Sequence, residues 1–175
     1  MCYSAAAMPA CRSLARAVLF SLLVLPSLVV AQSDGPEPAP RFHARTLDGQ
    51  AFNNASIKGK VVLLDFWTTW CPYCRQEEAM VDALSREFAD KGLLVLAINV
   101  GENKKKVKKH LEANPRVCKV VLTEDTNLAA MYQATSYPIY VVIDRDGNIA
   151  GEQRGAAGER ALRNLLRHAG IGAEE

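Results

Sequence analysis

The chain has 175 residues, of which 49% are hydrophobic and 23% are charged, and its formal net charge is +2. This length is enough for one domain with a substantial core. It contains five cysteines, and only three follow the N-terminal region. Three cysteines are too few for a small exported scaffold held together by disulfides. We therefore expect these cysteines to take part in a reaction.

Residues 1–31 have the pattern of a secretion signal, with Arg12 and Arg16 ahead of an apolar run and Val29-Val30-Ala31 as a cleavage site. The apolar run is shorter than the roughly 20 residues of a membrane span, so a cleaved signal is favoured over an uncleaved membrane anchor. All 19 acidic residues but only 19 of the 21 basic residues follow Ala31. The exported chain is therefore formally neutral, and nothing indicates a nucleic-acid partner.

Residues 32–41 are predicted to be a flexible linker by composition, and residues 42–170 to form the folded domain. The domain begins with a hairpin over 42–52, because Asp48-Gly49 favours a tight turn. An apolar run over 61–66 predicts a strand buried on both faces. Helical spacing then predicts a helix from 75 to 88.

The second half of the domain continues the alternation of strands and helices. Its predicted elements are a strand at 93–100, a helix at 102–114, a strand at 117–122, a short helix at 123–133, a strand at 139–144, a strand at 149–154 and a helix at 158–169. A strand–helix–strand succession implies a parallel crossover. Residues 145–148 (Arg-Asp-Gly-Asn) are typical of a hairpin turn, which makes the last two strands antiparallel.

The sequence Cys71-Pro72-Tyr73-Cys74 lies between the buried strand and its helix. Pro72 suits the first helical turn, which puts Cys71 at the helix N-terminus, where a thiol has a lowered pKa. Cys74, one turn further on, is expected to be less exposed and to close a disulfide with Cys71. A zinc site is the weaker alternative because a closed site needs four ligands, and a purely structural disulfide would close too short a loop to stabilise much. We therefore expect redox chemistry without a metal or organic cofactor.

The stretch of residues 66–77 (FWTTWCPYCRQE) resembles the TlpA/ResA branch of the thioredoxin superfamily, and the likeness extends over residues 42–169. The resemblance implies a thioredoxin-like α/β fold, with a central mixed β-sheet flanked by helices and an N-terminal β-hairpin extension. It also implies an exported thiol:disulfide oxidoreductase.

Two acids are candidates for proton transfer. Asp65 interrupts an apolar strand, so we expect an isolated buried carboxylate with a raised pKa, whose replacement by asparagine would increase stability near neutral pH. By resemblance, Asp65 matches the buried acid of thioredoxin, which accepts a proton as Cys74 attacks. The TlpA/ResA branch more often has asparagine at this position. Glu77 matches that branch's active-site glutamate.

The resemblance also implies a substrate-binding surface made of Trp70, Pro72, Tyr73, Tyr137 and Pro138. Pro138 corresponds to the cis-proline that packs against the two cysteines. Tyr137 stands where thioredoxins usually have a threonine or a small β-branched residue. Trp67 is predicted to join Trp70 and Tyr73 in an apolar rim around Cys71.

The favoured function is reduction of disulfides in exported proteins, with apocytochrome c as one candidate substrate and a membrane thiol–disulfide donor supplying electrons. The alternatives are a disulfide oxidase or isomerase and a non-catalytic binding module that uses the cis-proline groove. We expect a monomer. Cys118 is interpreted as a small core residue or, less readily, a third redox thiol. The lysine-rich helix over 102–114 is either a solvated face or a docking site for an acidic partner.

Overall fold

The structure is a computed structural model that describes residues 35–172. The strands are β1 (His43–Thr46), β2 (Ala51–Asn53), β3 (Val61–Trp67), β4 (Leu93–Asn99), β5 (Lys119–Thr126), β6 (Ile139–Ile143) and β7 (Ile149–Arg154), and the helices are α1 (Pro72–Glu87), α2 (Lys104–Ala113), α3 (Leu128–Met131) and α4 (Gly158–His168). The predicted signal over 1–31 lies outside the described residues. Within 35–172, no helix has the length and hydropathy needed to cross a membrane.

Strand β3 lies inside a mixed seven-stranded sheet whose order is β2-β1-β5-β4-β3-β6-β7. All seven residues of β3 are buried, as the apolar run predicts. It pairs in parallel with β4 and antiparallel with β6, and β4 pairs in parallel with β5. The predicted α/β fold with a mixed sheet is confirmed.

Side chains of β3 alternate between two cores because successive residues of a strand point to opposite faces of the sheet. Leu63 and Trp67 pack with residues of α1, α2 and α4, whereas Leu64 and Phe66 pack with residues of α3. Asp65 falls on the first of these faces, the one covered by α1. The chain leaves β3 at Trp67 and enters α1 five residues later, at the carboxyl end of two parallel strands.

The predicted N-terminal hairpin is present as β1 and β2, and it extends the sheet through antiparallel pairing of β1 with β5. The segment assigned to a linker makes contacts before residue 41. Ala39 N–H donates to the Gly147 carbonyl at 2.9 Å, and Ile149 N–H donates to the Glu37 carbonyl at 2.7 Å. These bonds fix residues 37–39 against the β6–β7 turn.

The predicted helix over 123–133 is wrong in its first half. Residues 123–126 continue β5, and only Leu128–Met131 is helical. Ala44 in β1 pairs with Thr126, whose hydroxyl also donates to the His43 carbonyl at 2.7 Å. Pairing with the N-terminal hairpin therefore overrides the local helical spacing of this segment.

Candidate active site

Cys71 and Cys74 form a disulfide at the start of α1, with their Cα atoms 5.3 Å apart. Cys71 is the N-cap of this helix and Pro72 occupies its first turn, as predicted. The Cys74 backbone N–H donates to Cys71 Sγ at 3.1 Å. In the reduced protein, the same N–H and the positive end of the helix dipole would favour the thiolate form of Cys71.

The two cysteines are equally buried, each with 3% of its surface exposed, so the expectation that Cys74 is less exposed is wrong. Cys71 Sγ points back at the helix amide and not at solvent, which explains its low exposure. Trp70 and Tyr73 flank the pair and are exposed, at 60% and 57%. Trp67 is a core residue with 1% exposure, so only two of the three predicted aromatics form a rim.

The loop before β6 lies beside this rim. The Tyr137–Pro138 peptide bond is cis, as the resemblance implied. The Tyr137 ring meets the Trp70 ring edge-on, with 6.0 Å between centroids. The Tyr137 hydroxyl donates to the Ala134 carbonyl at 2.9 Å, and burial raises its pKa. The loop is therefore fixed next to the residue that precedes Cys71.

Asp65 is buried as predicted, but the prediction that its carboxylate is isolated is wrong. Arg116 Nη2 lies 3.2 Å from Asp65 Oδ2, and the Arg116 side chain is 2% exposed. Burial raises the pKa of Asp65 to about 6, and it does so against the attraction of the Arg116 guanidinium. The direction of the predicted shift is confirmed. Asp65 is thus an acid that can exchange a proton near neutral pH.

Arg116 is the centre of a buried ionic cluster that the sequence analysis missed. Its Nε donates to Asp82 Oδ1 at 3.0 Å, and its Nη1 lies 3.9 Å from Glu78 Oε1. His110 Nε2 is 3.3 Å from the same Glu78 oxygen. Glu78 and Asp82 belong to α1, while Arg116 precedes β5. The cluster therefore fixes the cysteine-bearing helix to the sheet and to the end of α2.

Glu77 lies one turn beyond Cys74, as predicted, and it is also buried. Its carboxylate accepts hydrogen bonds from the Tyr140 hydroxyl at 2.8 Å and from the backbone N–H groups of Ala157 and Gly158 at 3.2 and 2.6 Å. The latter two belong to the start of α4, so Glu77 acts as a cap for that helix. Tyr140 is also the β6 partner of Asp65 in the sheet register. The structure therefore brings both predicted acids to the same face, with Tyr140 between them.

Glu102 is a second residue that the sequence analysis did not single out. Its carboxylate accepts from Thr69 N–H at 2.6 Å, from the Thr69 hydroxyl at 2.7 Å and from Asn99 Nδ2 at 2.8 Å. Lys106 Nζ lies 2.7 Å away. Burial opposes ionisation, but these hydrogen bonds and the lysine hold the pKa of Glu102 at about 2. Glu102 thus tethers the loop before Cys71 to β4 and α2.

Glu102→Gln is expected to lower the free energy of unfolding by about 1–3 kcal/mol, because an amide cannot accept from all four donors. Because the pKa of Glu102 is lower in the folded protein, its ionised carboxylate stabilises the fold fully at pH values above the usual pKa of 4.5. That stability is lost as the pH falls toward about 2. Denaturant unfolding at pH 7 and pH 3 should therefore show a larger difference between variant and wild type at pH 7. Glu112→Gln, an exposed position on α2, is the matched control. Equal unfolding midpoints for both variants would contradict the tether.

A disulfide at a helix N-terminus, beside a cis-proline and at the carboxyl ends of parallel strands in a mixed sheet, defines a thioredoxin-like oxidoreductase. The comparisons with known proteins agree. The sequence profile of the Redoxin family matches residues 35–166, and the chain belongs to this family. It is a thiol–disulfide oxidoreductase of the ResA-like branch.

The relatives cover most of the chain. The thioredoxin-like protein YneN of Bacillus subtilis is 33% identical over 74% of this chain and 77% of its own length. The thiol-disulfide oxidoreductase ResA of the same organism is 28% identical over 77% of this chain and 74% of its own. The crystal structure of a thiol:disulfide interchange protein from Chlorobium tepidum superposes with a TM-score of 0.68 at 29% identity, covering 79% of this chain and 99% of that one.

Proposed function

We propose that the protein is a reductase of disulfides in exported proteins, with Cys71 as the attacking thiol. The observation that carries the proposal is the Cys71–Cys74 pair at the N-terminus of α1, with the Cys74 N–H directed at Cys71 Sγ. A thiolate at Cys71 attacks one sulfur of the substrate disulfide, forms a mixed disulfide and releases the other sulfur as a thiolate.

Cys74 completes the exchange. Its thiol loses a proton and attacks Cys71 Sγ, which closes the Cys71–Cys74 disulfide and releases the second substrate sulfur as a thiolate. The substrate disulfide gains two electrons and the protein dithiol loses them. Asp65, with its pKa of about 6, is the proposed acceptor of the Cys74 proton. Glu77 already accepts three hydrogen bonds, so we assign it the positioning of Tyr140 and of the start of α4.

The surface around the pair is the proposed site for the substrate backbone. Trp70, Pro72 and Tyr73 are exposed, and the loop of Tyr137 and Pro138 lies against Trp70. An extended substrate segment would lie between this rim and the cis-proline loop, with its disulfide over Cys71.

Export, electron supply and the physiological substrate belong to the same proposal. The signal pattern of residues 1–31 supports delivery to the periplasm. There, a membrane thiol–disulfide donor would return the disulfide to the dithiol. Apocytochrome c is the candidate substrate that we propose on the resemblance to the TlpA/ResA branch. The names of ResA and of the Chlorobium tepidum protein state thiol–disulfide chemistry and fit either direction of electron flow.

Trapping tests the roles of the two cysteines. Cys74→Ser is expected to accumulate mixed disulfides with substrates in cells, because the first attack proceeds and the second cannot. Gel mobility with and without reductant, followed by mass spectrometry of the adducts, measures this and identifies the substrates. If Cys71→Ser accumulates adducts and Cys74→Ser does not, the assignment is reversed.

The reduction potential of the Cys71–Cys74 pair decides whether the protein reduces or oxidises its substrates. A reductase should have a potential near about −270 mV, whereas an oxidant should lie near about −120 mV. Equilibration of the purified protein with glutathione or dithiothreitol buffers measures it. A value close to that of a strong oxidant would favour the oxidase alternative.

A further inference from the structure

The outer side of α2 carries a net positive charge. Lys104, Lys105, Lys108 and Lys109 are exposed, and none forms an ion pair with another of residues 35–172. We call these four residues the lysine face. Lys106, the fifth lysine of the helix, differs from them because it is paired with Glu102.

Acids on the adjoining elements do not neutralise the lysine face, because they are engaged in the interior. The side chain of Glu102 is 5% exposed and bound by Thr69, Asn99 and Lys106. The side chains of Glu78 and Asp82 on α1 are 12% and 7% exposed. Their partners are His110 and Arg116, which are themselves largely buried. Glu112, on α2 itself, is the exception: it is exposed and lies one turn from Lys108 and Lys109. The other acids named here are used inside the protein, so four exposed lysines face one exposed acid and a net positive charge remains at the surface.

The lysine face also lies next to the redox site. The Glu102 carboxylate holds Thr69, two residues before Cys71, and α2 begins two residues after Glu102. The contact between His110 and Glu78 keeps α2 alongside α1. Since ten residues of helix span about 15 Å, a partner engaged at Cys71 would reach the lysine face with a flank of about six extended residues.

We propose that the lysine face docks an acidic segment of the protein that exchanges its disulfide with Cys71. The inference rests on the proposed function and adds a substrate class to it: disulfides flanked by aspartate and glutamate. Single exposed ion pairs contribute little to affinity. A net positive field beside the reacting sulfur instead raises the association rate of acidic partners, by about tenfold or more at low salt.

Two synthetic peptides test the proposal. Both contain the same central disulfide, one flanked on each side by six glutamates and the other by six lysines. The reduced protein is mixed with each, and the initial rate of peptide reduction is measured at about 20 mM and about 1 M salt, since the screening length is near 3 Å at 1 M. Copies of both peptides with serine in place of cysteine provide a binding measurement, by fluorescence anisotropy, that does not depend on exchange.

Charge-reversal variants locate the effect. The test variant is Lys105→Glu/Lys108→Glu/Lys109→Glu, which spares the Glu102–Lys106 pair. The matched control is Lys58→Glu/Lys60→Glu/Lys91→Glu, which makes the same change in charge at exposed lysines that precede β3 and β4, at the end of the sheet away from Cys71. A glutamine version of the test variant removes the three positive charges without adding negative ones. Thermal unfolding of all the proteins checks that a change in rate is not caused by a loss of folding.

The wild type and the control variant should reduce the glutamate peptide about tenfold faster than the lysine peptide at low salt, and about equally fast at 1 M salt. The test variant should invert the preference and the glutamine variant should remove it. A preference that is absent, or that persists in the test variant, overturns the proposal. Loss of binding to phosphatidylglycerol vesicles in the test variant without any peptide preference also overturns it, in favour of a membrane role. If the wild type reduces neither peptide, the proposed function fails, and the serine peptides still decide the docking.

Discussion

Cys71→Ser is expected to abolish disulfide reduction completely, leaving only the background rate of the reductant. The hydroxyl that replaces the sulfur cannot form a mixed disulfide, and Cys74 cannot substitute for it. The two cysteines are equally buried, but Cys74 lies within the first turn of α1, whereas Cys71 is the N-cap whose sulfur accepts a hydrogen bond from a helix amide. The measurement is the rate of insulin disulfide reduction by the purified protein, followed by turbidity with dithiothreitol as the electron source.

Cys118→Ala is the matched control for this loss. Cys118 is a free and buried cysteine, and burial raises the pKa of its thiol well above the ordinary value. A thiol of this kind is inert toward disulfides, so the variant should retain wild-type activity. Full activity of Cys71→Ser, or comparable losses in both variants, would contradict the assignment of Cys71 as the attacking thiol.

The fold could be predicted from the sequence because its signals are local. The apolar run of β3, the helical spacing of α1 and the Asp-Gly turns each fall within a window of a few residues. The cysteine pair followed from its place between a buried strand and a helix, and the cis-proline was available through the resemblance. The prediction failed where a distant strand decided the outcome, as at Thr126, which joins β5 because β1 pairs with it.

The polar contacts of the site could not be predicted in the same way. Arg116 is 51 residues from Asp65, and Glu102 is 33 residues from Thr69. No periodicity of the sequence indicates either pair, because hydrogen bonds between residues far apart in the chain depend on where the fold places them. One signal was present in the sequence and not used: Tyr140 in an otherwise apolar strand needs a partner for its hydroxyl, and Glu77 is that partner.

Arg116 changes the expected behaviour of Asp65. An isolated buried carboxylate would be costly, so its replacement by asparagine should stabilise the protein near neutral pH. With Arg116 at 3.2 Å, that gain is offset by the loss of a partner for a buried guanidinium. We therefore expect Asp65→Asn to remove the part of the pH dependence of the unfolding free energy that Asp65 causes, and not to give a simple gain in stability.

Arg116→Met is the second variant with a large expected effect. It preserves volume but leaves the carboxylates of Asp65 and Asp82 buried without their cation, so we expect the free energy of unfolding at pH 8 to fall by about 3–5 kcal/mol. Arg86→Met is the matched control, because Arg86 is an exposed arginine of α1 on the same groove of about 330 Å³. It should change stability by less than about 0.5 kcal/mol.

The sign of the pH dependence follows from the raised pKa of Asp65. The groups acting on this carboxyl are Arg116, which lowers its pKa, and Glu78 and Asp82, which raise it together with burial. Between its usual value of 3.8 and its native value of about 6, Asp65 binds more protons in the folded protein than in the unfolded chain. Stability from this group is therefore full below pH 4 and is lost as pH rises through 6.

Removing Arg116 takes away the attraction that favours the charged carboxylate, so the native pKa of Asp65 should rise further. At pH 5 the carboxyl is then largely neutral and costs little to bury, whereas at pH 8 it must ionise or hold its proton at a cost. We therefore expect the loss of stability in Arg116→Met to be clearly smaller at pH 5 than at pH 8. In the Asp65→Asn background, Arg116→Met should show a smaller difference between the two pH values. Urea unfolding of the wild type, the two single variants and the double variant at pH 5 and pH 8 measures these losses of stability. Equal losses at pH 5 and pH 8 would show that Arg116 does not control the charge of Asp65.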